Sequence, residues 1–308
     1  MTATTSAAPP ILIVGHVTLD LFAAGDAPSR LPGGAVSYAA RTAAAFGKRA
    51  TILTAGGPDV NLDALTGHDV EFSTVPTTLT FEFQSVNAQR RLRLLGRSAR
   101  PLRADDLPAR WRHPQLLILA PLLADDIDFA SFDAIAARDG RAILAQGLQR
   151  HVDASSIILH ASHPTTALLE HCSCDSSVFL SEHEIAGWSD HDLETVTARA
   201  ARLVITRGAA GADVYTASRA PLHVDACAAT PLDTTGAGDV FATAFMLALR
   251  AREQTGQPPP HDEAAARIAS ACAAAAIEHR GPAPLPPPPG STAPAATDDA
   301  GGATSWRP

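Results

Sequence analysis

A repeating alternation constrains this chain more than any other feature. Short apolar runs that end in glycine or small polar residues alternate with Ala-rich stretches of helical length. "ILIVGHVTLDLF" (11–22) reads as a buried strand running into a loop. "GGAVSYAARTAAAFG" (33–47) reads as a helix opened by a glycine pair and closed by Gly47, and "ATILTAGG" (50–57) as the next strand. A β-loop-α-β start of this kind calls for a parallel sheet covered by helices. The rhythm returns with strands expected at 115–122, 141–147, 156–160, 177–181 and 202–208. A helix is expected at 192–201, short strands at 211–217 and 221–227, and a closing helix over 261–280. The expected fold class is α/β: a three-layer α/β/α sandwich with a mainly parallel central sheet and a small β lid.

The lid is the one break in the rhythm. In "TLTFEFQSVNAQRRLRLL" (78–95), Phe81 and Phe83 alternate with Glu82 and Gln84, and Leu92 and Leu94 with Arg91 and Arg93. This period of two, turned at Asn87-Ala88, predicts a hairpin with one wet face. Arg90, Arg91 and Arg93 fall on that face. The apolar face needs cover, either across a homodimer or by closing on a substrate. Residues 1–10 and the Pro/Gly/Ala-rich run 282–308 have no core-forming pattern and are expected to be disordered. One domain over 11–281 remains.

Hydrophobic content of 46%, charged content of 18% and a net charge of −8 suit a globular chain with a large core and offer no basic stripe for nucleic acid. No apolar run approaches the length of about eighteen residues that a membrane span needs, and the first ten residues lack a basic, apolar leader. The expected compartment is the cytoplasm. His171-Cys172-Ser173-Cys174 lacks a second ligand pair and reads as ordinary thiols. Lys48 is the only lysine, so no G-x-x-x-x-G-K-[ST] phosphate loop exists. "GHVTLD" after the first strand is not the G-x-G-x-x-G of a dinucleotide-binding oxidoreductase.

"DTTGAGDVF" (233–241) precedes a helical run. The first N–H groups of a helix have no intrahelical partner and favour an anion. Gly236, Ala237 and Gly238 leave that backbone bare. Asp239 beside an anion site fits an acid that takes a proton from a hydroxyl attacking a phosphoryl group. A helix cap at Asp233 or Thr234, with small residues for packing, fits the same residues. Gln146 and Arg150 in "AQGLQR" (145–150) follow a strand end, where they reach a ligand or line a solvated loop. His16 is a loop histidine near the same place, a hydrogen-bonding bystander or a substrate contact.

The segment 233–241 is similar at every position to D-T-x-G-A-G-D-x-F, the signature of the ribokinase-like (PfkB) carbohydrate kinase family. "PGGAVSYAARTAAAFG" (32–47), "GHVTLD" (15–20), "SEHE" (181–184), "ITRGAAG" (205–211) and "ACAAAAIEHRG" (271–281) resemble further family segments in the same order, so the resemblance covers 11–281. It implies a ribokinase-like fold and an ATP-dependent kinase acting on a sugar, inositol-like polyol or nucleoside. Asp239 would be the base, and Gly236, Ala237 and Gly238 the anion hole. Glu184 would order Mg²⁺ through water. Thr206, Gly208, Gly211, Cys272 and Ala275 would border the nucleotide. Asp20, Gly33, Gly34, Tyr38, Gln146 and Arg150 would face the acceptor. Asp233 and Thr235 resemble the family's loop for a monovalent cation such as K⁺. Three departures stand out. Ser181 replaces the asparagine of N-x-x-E. Tyr38 replaces the asparagine that ribose- and adenosine-type members carry. The short segment before Gly33 implies a flap smaller than the family's four-stranded lid. A catalytically silent ligand-binding protein would share the fold without needing Asp239.

Overall fold

The computed structural model describes residues 10–22, 29–86, 89–98, 100–256 and 261–290. The strands are β1 (Ile11–Val14), β2 (Thr18–Phe22), β3 (Ser29–Gly33), β4 (Thr51–Gly56), β5 (Asp69–Thr74), β6 (Leu79–Val86), β7 (Gln89–Gly96), β8 (Leu116–Leu119), β9 (Arg141–Leu144), β10 (Arg150–Val152), β11 (Ile158–His160), β12 (Ser176–Ser181), β13 (Arg202–Thr206), β14 (Ala212–Thr216) and β15 (Arg219–Val224). The α-helices are α1 (Ala35–Ala45), α2 (Phe129–Phe132), α3 (Thr166–His171), α4 (Asp190–Thr197), α5 (Ala237–Gln254) and α6 (His261–Ile277).

The central strands are apolar at consecutive positions because both of their faces are covered. Ile11, Ile13, Leu116 and Ile118 enter one core with α1, α5 and α6. Leu12, Val14, Leu117 and Leu119 enter a second core on the other face, with Phe129, Phe132, Leu168 and Val196 from α2, α3 and α4. The nine-stranded sheet runs β15-β14-β13-β12-β9-β8-β1-β4-β5. Its seven strands from β13 to β5 are parallel; β14 and β15 add antiparallel at one edge. The three-layer, mainly parallel α/β fold is as expected.

The lid is larger than expected. It is a separate four-stranded sheet in the order β3-β2-β6-β7. "TLDLF", read in sequence as a loop, is β2, paired antiparallel to β3 and parallel to β6. β3 ("SRLPG") is hidden in sequence by Pro32, which only an edge strand tolerates. The segment 156–160 is also corrected. It supplies β11, which pairs with β10 in a small hairpin outside the main sheet. That hairpin meets the lid, where the Leu94 N–H donates to the Ser156 carbonyl at 2.8 Å.

Residues 282–290, expected to lie in a disordered tail, are described. Leu285 packs on the first core, Pro288 is buried, and Arg41 Nε donates to the Pro282 carbonyl at 3.2 Å. Residues 1–9 and 291–308 lie outside the described residues. No described helix is long and apolar enough to cross a membrane.

Candidate active site

The sheet order reverses at β1. The chain runs from β1 to β4 and β5 on one side, then returns to β8 and β9 on the other. Loops leaving the C-terminal ends of β1 and β8 therefore diverge and open a crevice, the usual ligand position in such sheets. His16 follows β1, Asp126 sits in the loop after β8, and Gln146 and Arg150 follow β9. The start of α5 brings Asp239 to the same place, where Gln146 Nε2 donates to Asp239 Oδ1 at 3.3 Å.

Gly236 is the N-cap residue of α5, in the left-handed conformation with φ 78°. A Cβ there would lie 2.3 Å from the ring of Tyr38, so both backbone and contact demand glycine. Tyr38, expected at the acceptor, is 5% exposed, and its ring supports this loop from below. Gly238 is the opposite case: a Cβ there would meet nothing within 4 Å. The loop is packed on one side and open on the other, with the first N–H groups of α5 beside the opening.

Asp239 is 9% exposed. Burial holds its carboxyl up to about 7; the negative charges of Glu184 and Asp20 push the same way and Arg150 opposes them. Arg150 is the counterweight. Burial draws its guanidinium down, while Glu184, Asp239, Asp126 and Asp20 hold it up. Its Nη1 donates to the Leu122 carbonyl at 3.1 Å, and its Cζ stands 6.0 Å from the ring of Phe81 on the lid. The structure thus gathers Asp20, Gln146, Arg150, Glu184 and Asp239 into one cluster, from four separated stretches of chain.

Asp20 projects from β2, is 4% exposed and accepts from Thr18 Oγ1 at 2.8 Å. It lies flat on Gly33, where a Cβ would come within 2.3 Å of Oδ2. Gly34 caps α1. On the other flank, β12 and β13 end side by side at Ser181 and Thr206. Glu184 Oε2 accepts from the Ser181 backbone N–H at 2.7 Å. That turn needs no asparagine side chain, so the substitution by serine leaves it intact. The tight turn after Thr206 holds Gly208 and Gly211, and the Arg207 N–H donates to the Gly211 carbonyl at 2.7 Å. Cys272 is buried in the same core cluster as Ala212 and Val224, with Ala275 half-buried further along α6. Asp233 accepts from the Thr235 N–H at 2.9 Å and from the Gly281 N–H at 3.3 Å, tying the loop before α5 to the end of α6.

Sequence reasoning missed Asp126. It is buried, and its Oδ2 accepts from the N–H groups of Leu122 and Leu123 at 2.8 and 3.1 Å. Its carboxyl is held up to about 7, chiefly by burial. His16 Nε2 lies 3.1 Å from the Asp126 carbonyl, and burial lowers its pKa, so the ring is a neutral brace for this loop. An acid set in the apolar stretch "APLLADDIDF" just beyond a strand end was the available signal.

No curated protein matches the chain by sequence. Residues 140–288 match the model of the pfkB family carbohydrate kinases. Over that stretch, just under half of its length, the chain is similar to this family. The pfkB family is one of phosphotransferases acting on carbohydrates and polyols, and the matched residues hold Asp239, the 236–238 loop, Glu184 and the 206–211 turn. Asp20 and Gly33 lie outside the match. Solved structures show the same fold over most of the chain. A pyrophosphate-dependent kinase in the ribokinase family aligns with a TM-score of 0.71 at 18% identity, covering 88% of this chain and 96% of that one. Aminoimidazole riboside kinase from Salmonella enterica gives 0.66 at 18%, covering 88% and 94%. A fructokinase double mutant from Vibrio cholerae O395, bound to fructose, ADP and potassium ion, gives 0.66 at 19%, covering 90% and 95%.

Proposed function

We propose that this chain is a kinase of the pfkB type, which transfers the γ-phosphoryl group of ATP to a hydroxyl of a small polyhydroxylated acceptor. The observation that carries the proposal is Asp239: a buried carboxyl poised near 7 at the open N-terminus of a helix. A base with that pKa takes a proton efficiently at neutral pH. The acceptor oxygen attacks phosphorus, its proton passes to Asp239, and the bond to the leaving phosphate breaks. The N–H groups of the 236–238 loop stabilise the charge that builds on the transferred group. Asp20 holds an acceptor hydroxyl, while Gln146 orients Asp239. Arg150 balances the carboxylates and stands where the transferred group passes.

Thr206, Gly208, Gly211, Cys272 and Ala275 border the donor. Mg²⁺ fits the site's charge. Glu184, Asp20 and Asp239 act on Arg150 as their shared cation, and donor phosphates add further negative charge. Magnesium binds with one or two carboxylates plus phosphates rather than in an all-protein cage. Glu184 would hold it through water, and it would neutralise charge on the phosphates. Asp233 and the Thr235 backbone suit a monovalent cation, since each Asp233 oxygen keeps a lone pair beyond its one N–H partner.

The test is phosphoryl transfer by the full chain with Mg²⁺ across sugars, inositols and nucleosides, with ATP and pyrophosphate as alternative donors. Transfer from ATP to one class of acceptor supports the assignment; tight acceptor binding without transfer from either donor refutes it.

A further inference from the structure

Two residues that act on Asp239 hang from consecutive peptide units of the loop after β8. The Leu122 carbonyl accepts from Arg150 Nη1 at 3.1 Å. The Pro121 carbonyl accepts from the N–H of Gly147, the neighbour of Gln146, also at 3.1 Å. A Cβ at Gly147 would lie 2.5 Å from that carbonyl, so the two backbones are in direct contact. The other ends of the same two peptide units meet at Asp126. Its Oδ2 accepts from the Leu122 N–H at 2.8 Å and from the Leu123 N–H at 3.1 Å. Each unit is thus held at its N–H by Asp126 and at its C=O by Gly147 or Arg150. Asp126 is itself anchored from outside the turn. Its own carbonyl accepts from the Leu102 N–H at 2.9 Å and lies 3.1 Å from His16 Nε2. Its Oδ1 is buried and has no hydrogen-bond partner among the described residues.

We infer that Asp126 is a positioning residue for the reaction: by fixing the peptide units after Pro121 and Leu122 it sets Arg150 and Gln146 against Asp239. This rests on the kinase function proposed above and deepens it. Without Asp126, two buried N–H groups lose their acceptor, and leaving them unpaired is unfavourable. The peptide units then rotate towards other partners. Their carbonyls rotate with them, and Arg150 and the backbone beside Gln146 lose their anchors. Asp126 also attracts Arg150 by charge. The charges that set the Asp239 carboxyl are those of Glu184, Arg150 and Asp20, so Asp126 reaches it through the groups that it positions. Asn at 126 keeps the acceptor for both N–H groups and drops the charge, whereas Ala drops both.

The experiment compares Asp126→Ala and Asp126→Asn in the full chain by steady-state kinetics over pH. Asp126→Ala should lower kcat roughly 10- to 100-fold, the effect of a small misplacement beside the reacting atoms, with little change in the KM of the acceptor. It should also carry the acidic limb of kcat/KM to higher pH, because a displaced Arg150 favours ionised Asp239 less. Asp126→Asn should recover most of both losses. In an Arg150→Met background, Asp126→Ala should move the limb clearly less, since coupled residues are not additive. Asp126→Ser, which shortens the acceptor without emptying the site, carries the same comparison should the Ala variant not fold. A readout free of turnover is the gain in melting temperature from Asp239→Asn at pH 8, which should be larger in the Asp126→Ala background than in the parent. Unchanged kcat, limb and melting gain in the Ala variant would overturn the inference and leave the kinase function standing if transfer occurs. Equal displacement of the limb with and without Arg150 would overturn it too. So would equal losses in the Asn and Ala variants, since charge rather than the turn would then be the link. A larger melting gain with no transfer to any acceptor would leave the inference about the position of Arg150 standing and remove the kinase function.

Discussion

Replacing Asp239 with Asn should separate catalysis from stability. The variant keeps the side-chain shape and the backbone N–H groups and removes the proposed base. The expected fall in kcat is roughly 10²–10⁴-fold, the usual worth of a positioned general base. Stability should move the other way, and only above a certain pH. The carboxyl is held at about 7 in the fold against 3.8 for the ordinary group, with burial as the first cause and Glu184 as the second. A folded pKa above the unfolded one means that the folded state binds the proton more tightly. This group therefore favours folding most below about pH 4 and loses that contribution as pH rises towards 7. Moving a carboxyl from 3.8 to about 7 corresponds to a cost on the order of 4 kcal/mol once the group is ionised in the fold. Asn carries no such cost. The melting temperature of the ligand-free variant, relative to the parent, should rise by several degrees between pH 5 and pH 8 and level off above. The assay is differential scanning calorimetry at both pH values beside steady-state kinetics on the acceptor found in the panel. Wild-type turnover in the Asn variant would remove Asp239 as the base. A melting difference that does not depend on pH would refute the raised carboxyl.

Arg150→Met should carry the acidic limb of the kcat/KM profile to higher pH, because the cation that favours ionised Asp239 is gone; a limb that stays in place would show that Arg150 does not act on the base. Gly236→Ala should cost stability by about 1–2 kcal/mol from the left-handed backbone alone, with the Tyr38 contact adding to it. Gly238→Val should leave the melting temperature nearly unchanged, since no atom lies within 4 Å of the new Cβ, yet lower kcat by crowding the phosphoryl group; a large loss of stability there would refute the open side of the loop. Deleting 291–308 should leave melting and turnover unchanged. Deleting 282–308 should lower the melting temperature, because Leu285 and the Pro282 carbonyl leave the core and Arg41; equal melting of the two truncations would show that 282–290 contributes nothing.

The parts of the site that could be read from the sequence are those that lie close together in it. Gly236, Ala237, Gly238 and Asp239 occupy one loop and helix start, so local rules of backbone freedom and helix polarity suffice to pick them out. Glu184 with Ser181 is a single turn, and the βα alternation follows from which short runs are apolar throughout. Sheet order, lid and acid–base balance are different, because they are set by partners far away in sequence. "TLDLF" becomes a lid strand only because residues 79–83 lie beside it. Tyr38 packs under Gly236, almost two hundred residues on. Asp126 gains its place from the loop it braces, and Arg150 from four carboxylates that converge on it. A carboxyl near 7 at Asp239 follows from burial and from neighbours on other strands, since desolvation and Coulomb interactions depend on distance in space. The sequence could therefore single out Asp239, and only the assembled fold could set its pKa.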